Sequence, residues 1–510
     1  MALGGGKFVT YNKILPGSYI NFVSLPRALG ALSERGVVMG MIPLTWGPAG
    51  KVFVIEAEDF QTDTLELLGY AFTDPEMLYL RELFKGARTV KLYRPDTGAK
   101  ASAVMPVAEL TKAYLQDESG NIDPAYLTLS DGNSTEAYFY MRSQIDLAVT
   151  ARYPGSRGND IKIVIQNDID APDYYLVNTL IGADNRVVDQ QSVRNVADLK
   201  ANPYVLFSGD GQPIENAGVY LTGGADAAIT GADHSDFLDL AESELFTTLL
   251  YAGIDDITKS LYTEFTKRLR DDEGCKFTTV LYDYADADFE GVISVKNKCV
   301  GIAGQDEAEQ AAWEDEAANA AALVYWTAGQ TAGTEINESL TNKVYDGELL
   351  IDTKIKKSEY KQLIQDGQFL FYGEIRAPYR TANVIEDANA KGTVKVVVDI
   401  NTFTSFQPDK NSDFSNNQVI RVIDQIATDT ARIFDQYYLG KVQNDQTGRN
   451  LFWTELVRYR EILQGMRAIQ NFDPESIVVK KGIEKGDVIV EEVIEPVGTM
   501  DKLYLTTVVA

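Results

Sequence analysis

The chain has 510 residues, 45% of them hydrophobic and 10% aromatic, with a formal net charge of −28. That length calls for more than one domain, and that composition rules out a chain disordered throughout. The acid excess disfavours a nucleic-acid binder, which needs a basic stripe, and the apolar runs are too short to span a bilayer.

The charge is unevenly placed. Residues 1–100 carry 11 Lys+Arg against 10 Asp+Glu, and residues 351–510 carry 20 against 23. Residues 101–350 carry 16 against 42, a net of −26. Near-neutral ends suit contact with neighbours, whereas a strongly acidic middle repels copies of itself and stays solvated. The pattern reads as an assembly domain folded from both chain ends, with the middle as a solvent-facing insertion. Acidic loops that only keep a large protein soluble give the same pattern. The opening "MALGGGKFVTYNK" lacks the charged and apolar regions of a signal peptide, so folding in the cytoplasm is expected. Cys275 and Cys299 fit no CxxC motif and read as two buried free thiols.

In chain order, a Gly-rich leader is followed by the strand-like "GSYINFVS" (17–24), "RGVVMGMIPLTWGP" (35–48) and "KVFVIEA" (51–57). Helices follow at 58–70 and 74–87, the second with Asp74 as N-cap and Pro75 at its first position. "RTVKLYRP" (88–95) returns to strand. From about 101 to 223 the segments are short and strand-like ("EAYFYM", "IDLAVTARYPG", "DIKIVIQ", "DYYLVNTLIG", "YVLFSG", "GVYLTGG"), which predicts a β-sandwich. "YPGSRGND" (153–160) is a loop between two of them. A helix is expected to begin near Asp236, then a buried strand "FTTLLYAG", an amphipathic helix 257–274 and the strand "KFTTVLYD". This is a parallel βαβ pattern. Residues 306–329 read as one Ala-rich helix with acids in its early turns. "YKQLIQDG" is a helix stopped by Gly367, and "QFLFYGEI" and "TVKVVVDI" are strands. Two long helices follow. In the first, Val419, Val422, Ile426, Ile433 and Tyr437 form the apolar stripe, with Arg421, Gln425, Thr428 and Arg432 on the exposed side. In the second, Phe452, Leu456, Tyr459, Leu463 and Met466 repeat at helical spacing. The chain closes on "DVIVEEVIEPVG" and "DKLYLTTVVA", the latter a strand apolar on both faces. It pairs either within its own chain, with residues 487–497, or with another subunit.

Motifs for chemistry are few. The one histidine, His234, sits in "TGADHSDF" and reads as a surface or capping residue. "NDIDAPD" (167–173) and "DYADADFE" (283–290) are acidic loops without the EF-hand pattern. No G-x-x-x-x-G-K-[ST] or G-x-G-x-x-G motif is correctly placed for a phosphate, so no cofactor is expected. The abundant acids would supply a carboxylate pair for an α/β glycan hydrolase with a β accessory domain; a non-contractile surface-array protein is a further alternative.

The stretch "INTFTSFQPDKNSDFSNNQVIRVIDQIATDTARIFDQYYLGKVQNDQTGRNLFW" (400–453) resembles contractile tail sheath proteins of bacteriophages and phage-tail-like bacteriocins. "MRAIQNFDPESIVV", "EPVGTMDKLYLTTVVA", "GGGKFVTYNKILPGSYINFVS", "YPGSRGNDIKIVI" and "YLTGGADAAITGAD" agree in the same order. The resemblance implies a structural protein and not an enzyme. Its subunits stack as six-membered rings around an inner tail tube protein and contract without nucleotide. Baseplate and tail terminator proteins are further partners, and nucleic acid and membrane are not. It implies a fold of α/β and α+β domains: N-terminal arm 1–20, N-terminal α/β part 21–98, inserted β-sandwich 99–223, α/β domain 224–355, inner tube-facing domain 356–486 and C-terminal strand arm 487–510. The arms would use Phe8, Val9, Tyr11, Ile14, Leu503, Tyr504, Leu505, Thr507, Val508 and Val509. Arg421 and Arg432 are candidate tube contacts. Gly4–Gly6 and "EKGD" (484–487) would serve as hinges. Particles would assemble in the bacterial cytoplasm.

Overall fold

The computed structural model describes residues 4–6, 17–19, 33–95, 97–108, 145–374 and 393–508. The fold is mixed α/β and multidomain, with a β-sandwich inserted in an α/β body. Residues 34–420 with 499–510 form one compact unit, and residues 421–498 with 1–33 form another.

The larger unit begins with strands Val37–Met41, Val52–Glu56 and Thr89–Tyr93, joined through helices α1 (Phe60–Leu68) and α2 (Leu78–Leu83). Gly69, at φ 74°, ends α1 in the left-handed conformation that glycine adopts without penalty. Asp74 does not cap its helix: its carboxylate accepts from the Ala71 N–H at 2.8 Å, and Pro75 opens a single 3-10 turn before α2.

The sandwich has a four-stranded sheet, ordered Arg186–Val193, Tyr175–Ile181, Ile161–Asn167, Asn216–Tyr220, and a three-stranded one, ordered Val205–Asp210, Ile145–Ala151, Ser102–Met105. Alternate residues Ile161, Ile163 and Ile165 on one sheet and Leu147, Val149 and Ala151 on the other are buried, as period-2 patterning requires. Strand 186–193 was not legible in sequence because it is a mostly polar edge strand. "EAYFYM" lies outside the described residues.

The "YPGSRGND" loop is a joint. The buried Arg94 guanidinium donates to the carbonyls of Leu44 (2.7 Å), Gly47 (3.0 Å) and, in this loop, Pro154 (2.6 Å). Gly155, at φ 134°, lies so close that a Cβ there would meet the Thr45 carbonyl oxygen at 1.9 Å. Arg157 stacks on Tyr70 at 4.1 Å and donates to the Gly69 carbonyl at 2.9 Å.

After the sandwich, α3 (Gly231–Ala241) starts about five residues earlier than expected, because Thr230 and Asp233 form a reciprocal capping box. His234 is therefore inside the helix. It shares the inward stripe with Phe237, Leu238 and Ala241, is buried, and lies 3.1 Å through Nδ1 from the Tyr262 hydroxyl. The surface role expected for it does not hold. Burial pushes its imidazole below the usual histidine value.

Strands Thr248–Tyr251, Thr278–Tyr282 and Val292–Val295 follow, the first two joined by α4 (Asp256–Asp271), and all three pair in parallel. Thr248–Tyr251 also pairs in parallel with Val37–Met41, and Gln368–Phe369 completes a seven-stranded sheet. Segments 21–98 and 224–355, read separately from sequence, thus share one sheet, with the sandwich inserted between its strands. Pairing across so long an insertion leaves no local signature. Gly40 carries one trace of it, since a Cβ there would lie 2.7 Å from Leu250 Cγ.

The single helix expected over 306–329 is two: α5 (Glu307–Asp315), with no buried residue, and α6 (Leu323–Gly333), buried nearly all round, with a 3-10 turn between. Glu316, at ψ 97°, is extended and breaks the helical backbone between them. Gly329 lets α6 approach α2, where a Cβ would meet the Leu83 carbonyl oxygen at 2.1 Å. Helix α7 (Lys357–Gln365) stops before Gly367, which has φ 75°. "QFLFYGEI" divides between the large sheet and a hairpin of Phe371–Glu374 with Thr393–Val396. Cys299 is buried and Cys275 exposed, so only one of the two thiols is where the sequence placed it.

The smaller unit contains most of α8 (Asn417–Ile433) and all of α9 (Gln446–Gly465). Phe452, Leu456, Tyr459 and Leu463 are buried along α9, while Met466 lies beyond its end and is half-buried.

Candidate assembly surface

The C-terminal segment 501–508 is in no strand and is exposed throughout. Leu503, Tyr504, Leu505 and Val508 are 88%, 89%, 79% and 88% accessible, and Thr507 is exposed as well. The strand expected here has no partner among the described residues. The pairing with residues 487–497 is not made: Val488–Glu491 pairs with Val478–Lys481, Glu495–Pro496 pairs with Ile469–Gln470, and residues 501–508 join neither. The segment is tethered at its base by the Thr499 N–H, which donates to Gln418 Oε1 at 3.1 Å. Val509 and the N-terminal arm residues Phe8, Val9, Tyr11 and Ile14 lie outside the described residues. Gly4–Gly6, expected as a hinge, pairs in parallel with Gly17–Tyr19.

The hairpin Val478–Lys481/Val488–Glu491 is a two-stranded sheet, with a free edge on each strand among the described residues. "EKGD" is its turn and not a hinge, since the Glu484 N–H donates to Asp487 Oδ2 and the Gly482 N–H to the Asp487 carbonyl, each at 2.9 Å. Val478, Ile489 and, at the tip, Ile483 are exposed. Such edges are templates for further pairing.

The smaller unit holds a buried polar network. Asp429, fully inaccessible on α8, accepts from Ser33 N–H (2.8 Å), Gln425 Nε2 (2.8 Å), the Tyr459 hydroxyl (2.7 Å) and Arg432 Nη2 (3.1 Å). Gln425 also donates to Ser33 Oγ at 2.7 Å. The carboxylate thereby joins residue 33, near the start of the chain, to both long helices. Burial, with Asp429 beside it, pushes the Tyr459 hydroxyl well above its ordinary range. Arg460 is buried too and grips Glu492 at 2.7 and 2.9 Å.

The structure covers most of the side of α8 read as exposed; of the four residues assigned to it, Thr428 is exposed as expected. Arg421 is 3% exposed, as is Gln425, and Arg432 is partly covered and paired with Asp429. Helical spacing reports which side is apolar but not whether the polar side is also covered. The network residues carry no motif; the only sequence signal was an Asp and a Gln four apart on the expected outer face.

The acidic loops serve as hydrogen-bond acceptors. Asp168 accepts from Ser192 Oγ at 2.7 Å, and Asp288 accepts from the Thr404 and Ser405 N–H groups at 2.8 and 3.1 Å. Among the described residues, no group of three metal-capable side chains gathers and no helix is long and apolar enough to cross a membrane.

Four family models cover most of the chain. "Tail sheath protein Gp18 domain III N-terminal region" matches residues 35–94, and "Phage tail sheath protein beta-sandwich domain" matches 107–226. "Phage tail sheath protein central domain" matches 227–380, and "Phage tail sheath C-terminal domain" matches 409–510. The phage-like element PBSX protein XkdK of Bacillus subtilis is 29% identical, covering 98% of this chain and 99% of its own length. A crystal structure of a sheath tail protein from Desulfitobacterium hafniense is similar at a TM-score of 0.73 and 36% identity, covering 96% of this chain and 99% of that one. Another, from Listeria innocua, gives 0.68 and 27%, covering 94% and 95%. Matched along almost its whole length, the chain belongs to the phage tail sheath protein family.

Proposed function

We propose that this protein is the subunit of a contractile tail sheath, polymerising as stacked six-membered rings around an inner tube and contracting to drive that tube through a bacterial envelope. The observation that carries the reading is the exposed, apolar terminal segment, together with the open edges of a two-stranded hairpin that every copy also offers. Burying Leu503, Tyr504, Leu505 and Val508 is worth on the order of 6–12 kcal/mol gross, and ordering an eight-residue arm costs a similar amount. Apolar burial alone therefore only breaks even. Main-chain pairing along a sheet edge supplies the surplus and the register, which makes strand addition to another subunit the favoured mode of docking. Linked arms keep neighbours connected while the compact units move as rigid bodies. The tube, the baseplate and the tail terminator are the further partners of this reading, with assembly in the bacterial cytoplasm. It assigns no catalytic, cofactor or metal role to any side chain.

The test is deletion of residues 501–510. The truncated chain is expected to keep its circular dichroism and unfolding transition, because those side chains touch little, yet to remain monomeric where the full chain forms striated tubes in electron micrographs. Tubes of normal length from the truncated chain would refute the role of the arm.

A further inference from the structure

Helix α7, which also carries the exposed Glu359, presents lysines on one side of a subunit that is strongly acidic. Lys354 and Lys356 precede it, and Lys357 and Lys361 stand four apart on its outward side; all four are exposed. The inward side is fixed by Tyr360, whose hydroxyl donates to the Phe371 carbonyl at 3.0 Å. Elsewhere lysines are drawn to carboxylates, as Lys91 is to Glu244 and Lys296 to Asp283, each at 2.7 Å. None of the four at α7 makes a side-chain ion pair with a described residue.

Helix α5 is its counterpart. Six carboxylates fall within residues 306–316, and no lysine or arginine occurs between Lys298 and Lys343. Asp306 and Glu309 are used in the capping box. Glu307, Glu314 and Asp315 are exposed, on the side away from Trp313, and make no ion pair with a described residue. The two helices have nine residues each, and each is held by its other side.

We propose that the basic side of α7 docks on the acidic side of α5 in a second copy of this chain. The inference rests on the polymerising subunit read above and adds a contact that the strand arms do not supply. An identical copy carrying −28 is repelled unless cations are brought locally against its acids. A group of exposed lysines without an ion partner among the described residues meets an exposed acidic helix with no cation near it in the sequence, and both are present on every copy. Two different patches on each subunit make a heterologous contact, which repeats from copy to copy and closes a ring or continues a helix. Complementary charge of this kind sets register and encounter rate and weakens with salt.

The experiment uses three full-length variants: Lys354→Glu/Lys357→Glu/Lys361→Glu, Glu307→Lys/Glu314→Lys/Asp315→Lys, and all six together. Polymer is measured by sedimentation and electron microscopy at low and physiological salt. Each triple variant should stay folded and need about tenfold or more protein to polymerise at low salt. The sixfold variant should return to the wild-type range, and an equimolar mixture of the two triples should co-assemble, since alternating copies restore opposite charges at each contact. Normal polymerisation of the α7 triple overturns the inference. So does a block that neither the sixfold variant nor the mixture relieves, since the lysines then face some other partner. A wild type that never polymerises overturns both this contact and the function on which it rests.

Discussion

Removing the Asp429 carboxylate tests whether a single buried acid fastens the two long helices to residue 33. Asp429→Ala strands the Ser33 N–H outright and leaves the Tyr459 hydroxyl only a longer contact to the Gln425 carbonyl at 3.3 Å. Gln425 keeps Ser33 Oγ, and Arg432, being partly exposed, turns to water. Two donors, one buried and one half-buried, losing a charged acceptor cost about 1.5–3 kcal/mol each, or roughly 3–6 kcal/mol together. Hydrogen exchange read by mass spectrometry should accordingly speed up by roughly 100-fold or more in peptides from α8 and α9, with peptides from α4 unchanged as the internal control. Tyr459→Phe removes one donor and leaves the carboxylate its others, so its effect should be clearly smaller. Less than a threefold change at α8 and α9 in Asp429→Ala would refute the reasoning, because the network would then contribute nothing beyond the apolar stripe.

Other outcomes follow from the same structure. Arg94→Ala leaves three carbonyls at the sandwich joint without their donor and should cost about 2–4 kcal/mol, seen as early proteolysis between the sandwich and the α/β body. Gly329→Ala puts a methyl group against the Leu83 carbonyl and should destabilise the larger unit by about 1–3 kcal/mol in denaturant titrations. A thiol reagent should label one cysteine at once, Cys275, and Cys299 only on unfolding, since Cys299 is 2% exposed and burial pushes its thiol well up. Burial also raises Glu82 above the ordinary glutamate value of 4.5, against hydrogen bonds from the Glu348 N–H and the Tyr345 hydroxyl that lower or share its charge. The native state then holds a proton that the unfolded state has released, so this group's contribution falls as pH rises from 4.5 through the native value. Glu82→Gln should flatten that part of the stability–pH curve.

Much of the element inventory was legible because local physics decides it. The strands at 37–41, 52–56 and 278–282 are short β-branched runs bounded by turn residues, and α9 shows its stripe at helical spacing. The parallel βαβ unit followed from strand, amphipathic helix and strand in succession. The low acidity of both chain ends and the two-faced apolar terminus were also plain, and they pointed to contact with other copies.

What the sequence could not decide depends on partners far along the chain. Whether residues 37–41 belong beside 248–251 is settled by pairing across the inserted sandwich, and no residue in either strand announces it. Whether the polar side of α8 meets water depends on Ser33 and Tyr459, which lie in other parts of the sequence, so Arg421 and Gln425 looked exposed and are not. His234 changed from surface to core for a local reason, since the capping box of Thr230 and Asp233 starts the helix early enough to place it on the inward stripe. Sequence alone determined that the segment 501–508 has the pattern of a strand covered on both faces. Only the tertiary structure decided that nothing in its own described chain covers it, because the fold leaves residues 501–508 exposed and outside every strand.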